Sequence, residues 1–169
     1  MQKPTPNQNE KRLNASDFIV SKTDKSGKII YGNKYFIKIS GYEEDELIGS
    51  PHSILRHPDM PKVVFKLLWE RIQNKEEIFA YVKNLCKDGS YYWVFANATA
   101  TLDEKGMIRD FHSVRRKPSQ KAMEIIPSLY TQLLLEEHKN GMNGSQRLLE
   151  KILNDKGVDY DEFILSLQQ

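Results

Sequence analysis

The sequence holds one cysteine in 169 residues, Cys86, which excludes an internal disulfide and a cysteine-based metal site. No run of about 18 apolar residues occurs, so no membrane-spanning helix is expected. Met-Gln-Lys-Pro opens no secretory signal, and a cytoplasmic location is expected, with any membrane role exercised through a partner. There is no Gly-x-Ser-x-Gly elbow, no His-Glu-x-x-His pair and no P-loop, so hydrolytic chemistry has little support and the expected protein is not an enzyme. A large charge of one sign is also missing. The formal net charge is +2, whereas nucleic-acid binding usually leaves a strongly basic face. The balance is uneven along the chain: residues 18–117 carry 17 basic and 13 acidic side chains, and residues 118–169 carry 5 and 8. An acidic tail docking on a basic body would fit that difference.

What is present divides into three parts. Residues 1–17 are polar with almost no large apolar groups, and a disordered leader is expected. From Phe18 to Pro118, strands and helices alternate in blocks. Phe18–Thr23 and Ile29–Tyr31 flank an Asp24–Lys28 turn. Asn33 starts a helix that Gly41 can end, and Glu43–Glu46 suits the first turn of another. Val63, Phe65, Leu67, Leu68 and Ile72 mark a longer helix. Strands follow over 78–85, 91–102 and 107–114, joined by Lys87-Asp88-Gly89 and Asp103–Gly106 turns. Antiparallel strands with helices grouped in the middle predict an α+β domain. Residues 119–169 read as a C-terminal helical extension. A helix bearing Ala122, Ile126, Leu129, Tyr130 and Leu133 should break over 139–144, with Ser145 capping a second helix and Asp159 with Glu162 opening a third. Their apolar stripes must be buried, on the domain's own sheet or against a partner.

The most unusual stretch is Gly49–Trp69, GSPHSILRHPDMPKVVFKLLW. Prolines 51, 58 and 61 stiffen it, since each fixes φ and restricts its predecessor. A polar, proline-rich segment between apolar elements can hold side chains over a cavity but cannot fill a core. His57 before Pro58 also suits a turn residue, and Trp69 on an apolar helical face suits a core position. Asn33 and Asn84 beside turns commonly bond their own backbone.

Asp24…Gly27-Lys28-Ile29-Ile30-Tyr31-Gly32-Asn33…Phe36…Ser40-Gly41-Tyr42…Glu46-Leu47-Ile48-Gly49 resembles the first half of a PAS domain, and Lys87-Asp88-Gly89-Ser90-Tyr91-Tyr92-Trp93 its second half. Arg56-His57-Pro58-Asp59-Met60-Pro61, with Trp69 and Lys83-Asn84, is similar to a narrower group: the FAD-binding PAS domains of the Aer/CetB energy-taxis type. The resemblance covers roughly residues 18–118. It implies a five-stranded antiparallel sheet with helices on one face and FAD between them. It further implies a soluble sensor reporting to a separate membrane-bound chemoreceptor-like protein, with a second copy of the chain as a further candidate partner. Asn33, Arg56, His57, Asp59, Trp69 and Asn84 carry over as cofactor-site positions. Phe65 and Asn97 join the candidates, Asn97 on the reading that it faces inward.

A flavin needs a flat apolar slot, polar groups at its pyrimidine edge and donors for its pyrophosphate. Adduct-forming light sensing would require a cysteine in the segment Pro51–Arg56, which has none. Two alternatives stay open: a haem-binding PAS sensor with His52 or His57 as axial ligand, and a cofactor-free dimerisation module. No metal site is otherwise expected. Signalling is expected to run through the sheet to an interface, with residues 119–169 as the contact element.

Overall fold

The computed structural model describes residues 2–169. Five strands form one antiparallel sheet: β1 Ile19–Thr23, β2 Ile29–Gly32, β3 Ile78–Leu85, β4 Tyr91–Leu102 and β5 Ile108–Arg116, in the order β2-β1-β5-β4-β3. Two of its hairpins are made by the same device. Asp24 Oδ1 accepts from the amides of Ser26 and Lys28, and Asp103 Oδ1 from those of Lys105 and Met107. Each aspartate thereby ties down a backbone turn that glycine then completes.

Between β2 and β3 lie α1 Lys34–Ser40, α2 Glu44–Leu47, a single 3-10 turn His52–Leu55 and α3 Lys62–Gln73. Asn33 caps α1, its Oδ1 accepting from Phe36 N at 3.1 Å, and Gly41 ends it at φ 76°. These elements cover one sheet face. The α+β expectation holds, with its five antiparallel strands and central helices.

The other face is covered over β3 and β4 by the extension, α4 Gln120–Lys156 and α5 Tyr160–Leu167. Tyr130 donates from its hydroxyl to Tyr81 O at 2.6 Å, Tyr160 to Phe79 O at 2.9 Å, and Tyr81 to Ile164 O at 3.1 Å. Ala122, Ile126, Leu133, Phe163, Ile164 and Leu167 are buried. The apolar stripes are therefore satisfied within the chain. The acidic tail also meets the basic side of α3: Arg71 Nη1 donates to Asp161 Oδ2 at 3.0 Å.

Two expectations are corrected. The polar leader is not disordered over residues 2–17. It runs along the β3–β4 hairpin, where Asn7 N donates to Gly89 O at 2.8 Å, Lys11 N to Tyr91 O at 2.7 Å, and Leu13 is buried. Backbone groups and one leucine hold it, which a hydrophobicity pattern does not register. The break over 139–144 is also narrower than expected. Only Gly141, at φ 71° and ψ −175°, is non-helical, and Ser145 does not cap a new helix but donates from Oγ to Glu137 Oε2 at 2.9 Å.

Candidate functional site

The inner sheet face is floored by small side chains where β1, β5 and β4 lie side by side. Ser21 pairs with Ser113, and Ser113 with Ala98; Ala96 lies between Ala80 and Arg115. Helix α3 spans this floor, and with mostly small residues below it a cavity of about 340 Å³ remains. That is at the lower end of the range for small-molecule pockets, enough for a flat ring system with the rest of a larger ligand in the opening. Phe65, Leu68, Trp69 and Ile72 of α3 form one wall, and Phe111 of β5 faces them. Trp69 is 39% exposed and meets Phe111 edge-on at 5.2 Å, which places it at the rim.

The polar groups of the cavity are one-sided. Arg56, Arg115, Asn84, His52 and Ser21 line it, and no carboxylate does. Arg56 lies over the Phe65 ring at 3.9 Å, a cation–π contact, and its Nε has no hydrogen-bond partner. Arg115 is buried; one Nη donates to Ser21 Oγ, and its Nε is unpartnered. Asn84 Nδ2 is likewise buried without a partner. Such orphaned groups are costly unless something answers them. Burial lowers the pKa of both arginines. His52 stacks on Phe36 at 6.0 Å with Nε2 3.2 Å from Ser21 Oγ. Burial first, then the Arg115 charge, lowers its pKa to about 3, so it stays neutral.

The structure brings four of the eight candidates together: Arg56, Phe65, Trp69 and Asn84 all line the cavity. The other four lie outside it. Asn33 spends both ends of its amide within the chain, capping α1 and donating from Nδ2 to Phe18 O at 2.9 Å. Asn97 does not face inward. It pairs with Val114 on the outer face and donates to Glu77 Oε2 at 3.2 Å. His57 is buried edge-on to Tyr91, its Nδ1 accepting from Asp59 N at 3.0 Å, and Asp59 is paired with Lys83 Nζ at 2.7 Å. Burial, then the Lys83 charge, lowers the His57 pKa. This cluster anchors the loop that presents Arg56, whose backbone bridges to Asn84. Of the two histidines considered as haem ligands, only His52 lines the cavity.

Arg115 and Ser21 were not among the candidates. The signal that could have found Arg115 is register: β5 alternates, so with Phe111 inward Arg115 is inward too. Cys86 is buried at the β3–β4 hairpin, donating to Ile39 O at 3.3 Å, and is not a lining residue. Among the described residues there is no cluster of metal-ligating side chains, and no helix is long and apolar enough to cross a membrane.

Comparison with known proteins agrees with this architecture. The PAS fold family matches residues 29–115. The aerotaxis receptor of Escherichia coli is 34% identical over 139 residues, covering 82% of this chain and 26% of the receptor. A nitrogen fixation regulatory protein of Klebsiella oxytoca is 24% identical over 97 residues, 57% of this chain and 20% of that protein. Among solved structures, a light-oxygen-voltage domain studied with a flavin analogue aligns over 73% of this chain and 86% of its own, with a TM-score of 0.55 and 23% identity. A PAS domain from Colwellia psychrerythraea aligns over 59% and 85%, with a TM-score of 0.55 and 22% identity. The chain spans about a quarter of the receptor's length. Sheet order, central helices and the matched residues together make this chain a member of the PAS fold family, homologous to an aerotaxis receptor.

Proposed function

We propose that this chain is a cytoplasmic redox sensor of the energy-taxis type that binds FAD non-covalently in the cavity under α3. It reports by protein contact to a separate membrane-bound chemoreceptor-like protein. The observation that carries the reading is the cavity itself: an apolar, aromatic-walled slot whose polar lining includes two guanidiniums with unpartnered Nε atoms and the unpartnered amide donor of Asn84, and no carboxylate. A flavin dinucleotide matches that donor set, being flat and apolar at its rings, rich in acceptors at its pyrimidine edge and anionic at its phosphates. The likeness to an aerotaxis receptor supports the taxis context.

On this reading Phe65, Trp69 and Phe111 flank the rings, Asn84 donates to a ring or ribose acceptor, and Arg56 and Arg115 meet negative charge. The bound flavin would supply reversible electron acceptance. The chain's task is to exclude water from the slot and to bind the redox forms unequally, by about 1–3 kcal/mol, so that two protein conformations change in population. Helix α3 and the sheet both touch the cavity and the extension, so either can carry the shift outward. The chain acts as a sensor and not as a catalyst.

The visible spectrum of the protein purified from its own cells tests this directly. Oxidised-flavin bands with vibrational shoulders are expected, and acid extraction should release FAD. A Soret band would replace the proposal with a haem sensor. Failure of the purified protein to take up added FAD would replace it with an interaction module.

A further inference from the structure

Arg115 sits where few proteins keep a charge. It is 3% exposed, its Nε has no partner, and its guanidinium carbon lies 5.0 Å from the Phe36 ring centroid. No carboxylate pairs with it among the described residues. Its neighbours across the sheet are Ile19 and Ala96, which supply no compensating charge. The positive groups around the cavity reinforce one another, since Arg56 lines the same space and His52, which lines it too, is neutral. A buried charge without a partner destabilises the fold that holds it. An apolar side chain of similar length would pack there at lower cost. The arrangement becomes favourable when an anion occupies the cavity.

We propose that Arg115 makes the cavity select its ligand by charge, holding the negatively charged form more tightly than the neutral one. Resting on the flavin reading above, this means preference for the reduced ring. Two electrons from a donor such as dithionite, with one proton from water, convert the neutral oxidised ring into a reduced ring bearing one negative charge. Arg115 stabilises that product and leaves the oxidised form comparatively unaided. The residue thereby raises the potential at which the sensor switches, and its Ser21 hydrogen bond fixes the guanidinium in place before any ligand arrives.

Two variants test this, Arg115→Met, which removes the charge at similar bulk, and Arg115→Lys, which keeps a charge. The first measurement needs no ligand. Arg115→Met apoprotein should melt higher than the wild-type apoprotein, because an uncompensated charge has been replaced by apolar contact; a lower melting temperature, or failure to fold, makes Arg115 a structural residue and overturns the proposal. The second is a dithionite titration of the FAD-loaded proteins. Arg115→Met should lose about tenfold in the ratio of reduced to oxidised affinity, a potential lower by about 30 mV for a two-electron couple, whereas Arg115→Lys should stay near wild type. An unchanged potential in Arg115→Met with FAD bound overturns the charge selection and leaves the flavin reading standing. If wild-type protein takes up no FAD, the flavin reading fails first, and the loss is visible in the spectrum before any variant is made.

Discussion

Replacing Glu137 with alanine tests how the C-terminal extension supports the wall of the cavity. Helix α3 starts at Lys62 after Pro61, which has no side-chain acceptor to cap it. The missing cap comes instead from α4: Glu137 Oε1 accepts from Lys62 N at 2.9 Å and Oε2 from Val63 N at 3.0 Å. A carboxylate there answers two orphan amides and the positive end of the helix dipole together. Hydrogen bonds to charged groups contribute about 1.5–3 kcal/mol and lost caps about 0.5–2 kcal/mol, so for this half-buried group we expect Glu137→Ala to cost about 2 kcal/mol. In a chain of this size that lowers the melting temperature by about 4–8 °C. Glu137→Gln keeps one acceptor and should fall between the two. Because α3 carries Phe65, Leu68, Trp69 and Ile72, the same variant should weaken ligand uptake although Glu137 touches no part of the cavity. Thermal and urea unfolding decide the first point, and a binding titration the second. A Glu137→Ala protein within about 0.5 kcal/mol of wild type, the range of an ordinary surface change, would refute the cap.

Two further outcomes follow from the packing. His52 stays neutral when folded to about pH 3 but has an ordinary value of 6.5, so the unfolded chain takes up a proton that the folded one refuses. Stability should therefore fall as pH drops below 6.5, at up to about 1.4 kcal/mol per pH unit for this group; His57, also lowered, acts in the same sense. Urea midpoints between pH 7 and 5 should show a shallower slope in His52→Gln, and an unchanged slope would rule out His52 as a contributor. Gly89, at φ 88°, faces the carbonyl of Thr5, whereas Gly106, at φ 75°, faces open space. Both alanine variants should cost about 1–2 kcal/mol in backbone strain, but only Gly89→Ala should release residues 2–12, read as faster amide exchange there; equal exchange in the two would show that the segment is not held at this turn.

How much of the fold was legible depended on whether a local rule had a tertiary competitor. The Asp24 and Asp103 turns, the helix start at Asn33, the Gly41 stop and the Asp159–Glu162 capping box form as read, because each is closed by residues within a few positions. The N-terminal segment was missed because its partners, Gly89 and Tyr91, lie some eighty residues away and engage it through backbone atoms. Asn97 was misfaced for another reason. Alternation identifies an inner face only when the other is wet, and in β4 both faces are covered, Val94 and Ala96 by the cavity side and Trp93 and Phe95 by the extension. A strand buried twice reads as apolar throughout.

The candidate site divides along the same line. Arg56, Phe65, Trp69 and Asn84 were named from residue type and resemblance, and the fold gathers them around one cavity. His57 and Asp59, in the same run, have local partners in each other, Tyr91 and Lys83, and hold the loop from behind. Arg115 next to Arg116 at a strand end looks like a pair of solvated charges, and for Arg116 that is true, since it is exposed. The difference arises only when β5 is set between β1 and β4, which turns Arg115 toward Ala96 and away from any carboxylate. Whether a charge is balanced is a property of the space around it and not of its neighbours in sequence. The balance of this cavity can therefore be altered at one residue without disturbing the pattern by which the fold is recognised, which leaves room for related domains to share a sheet and differ in the charge of what they hold.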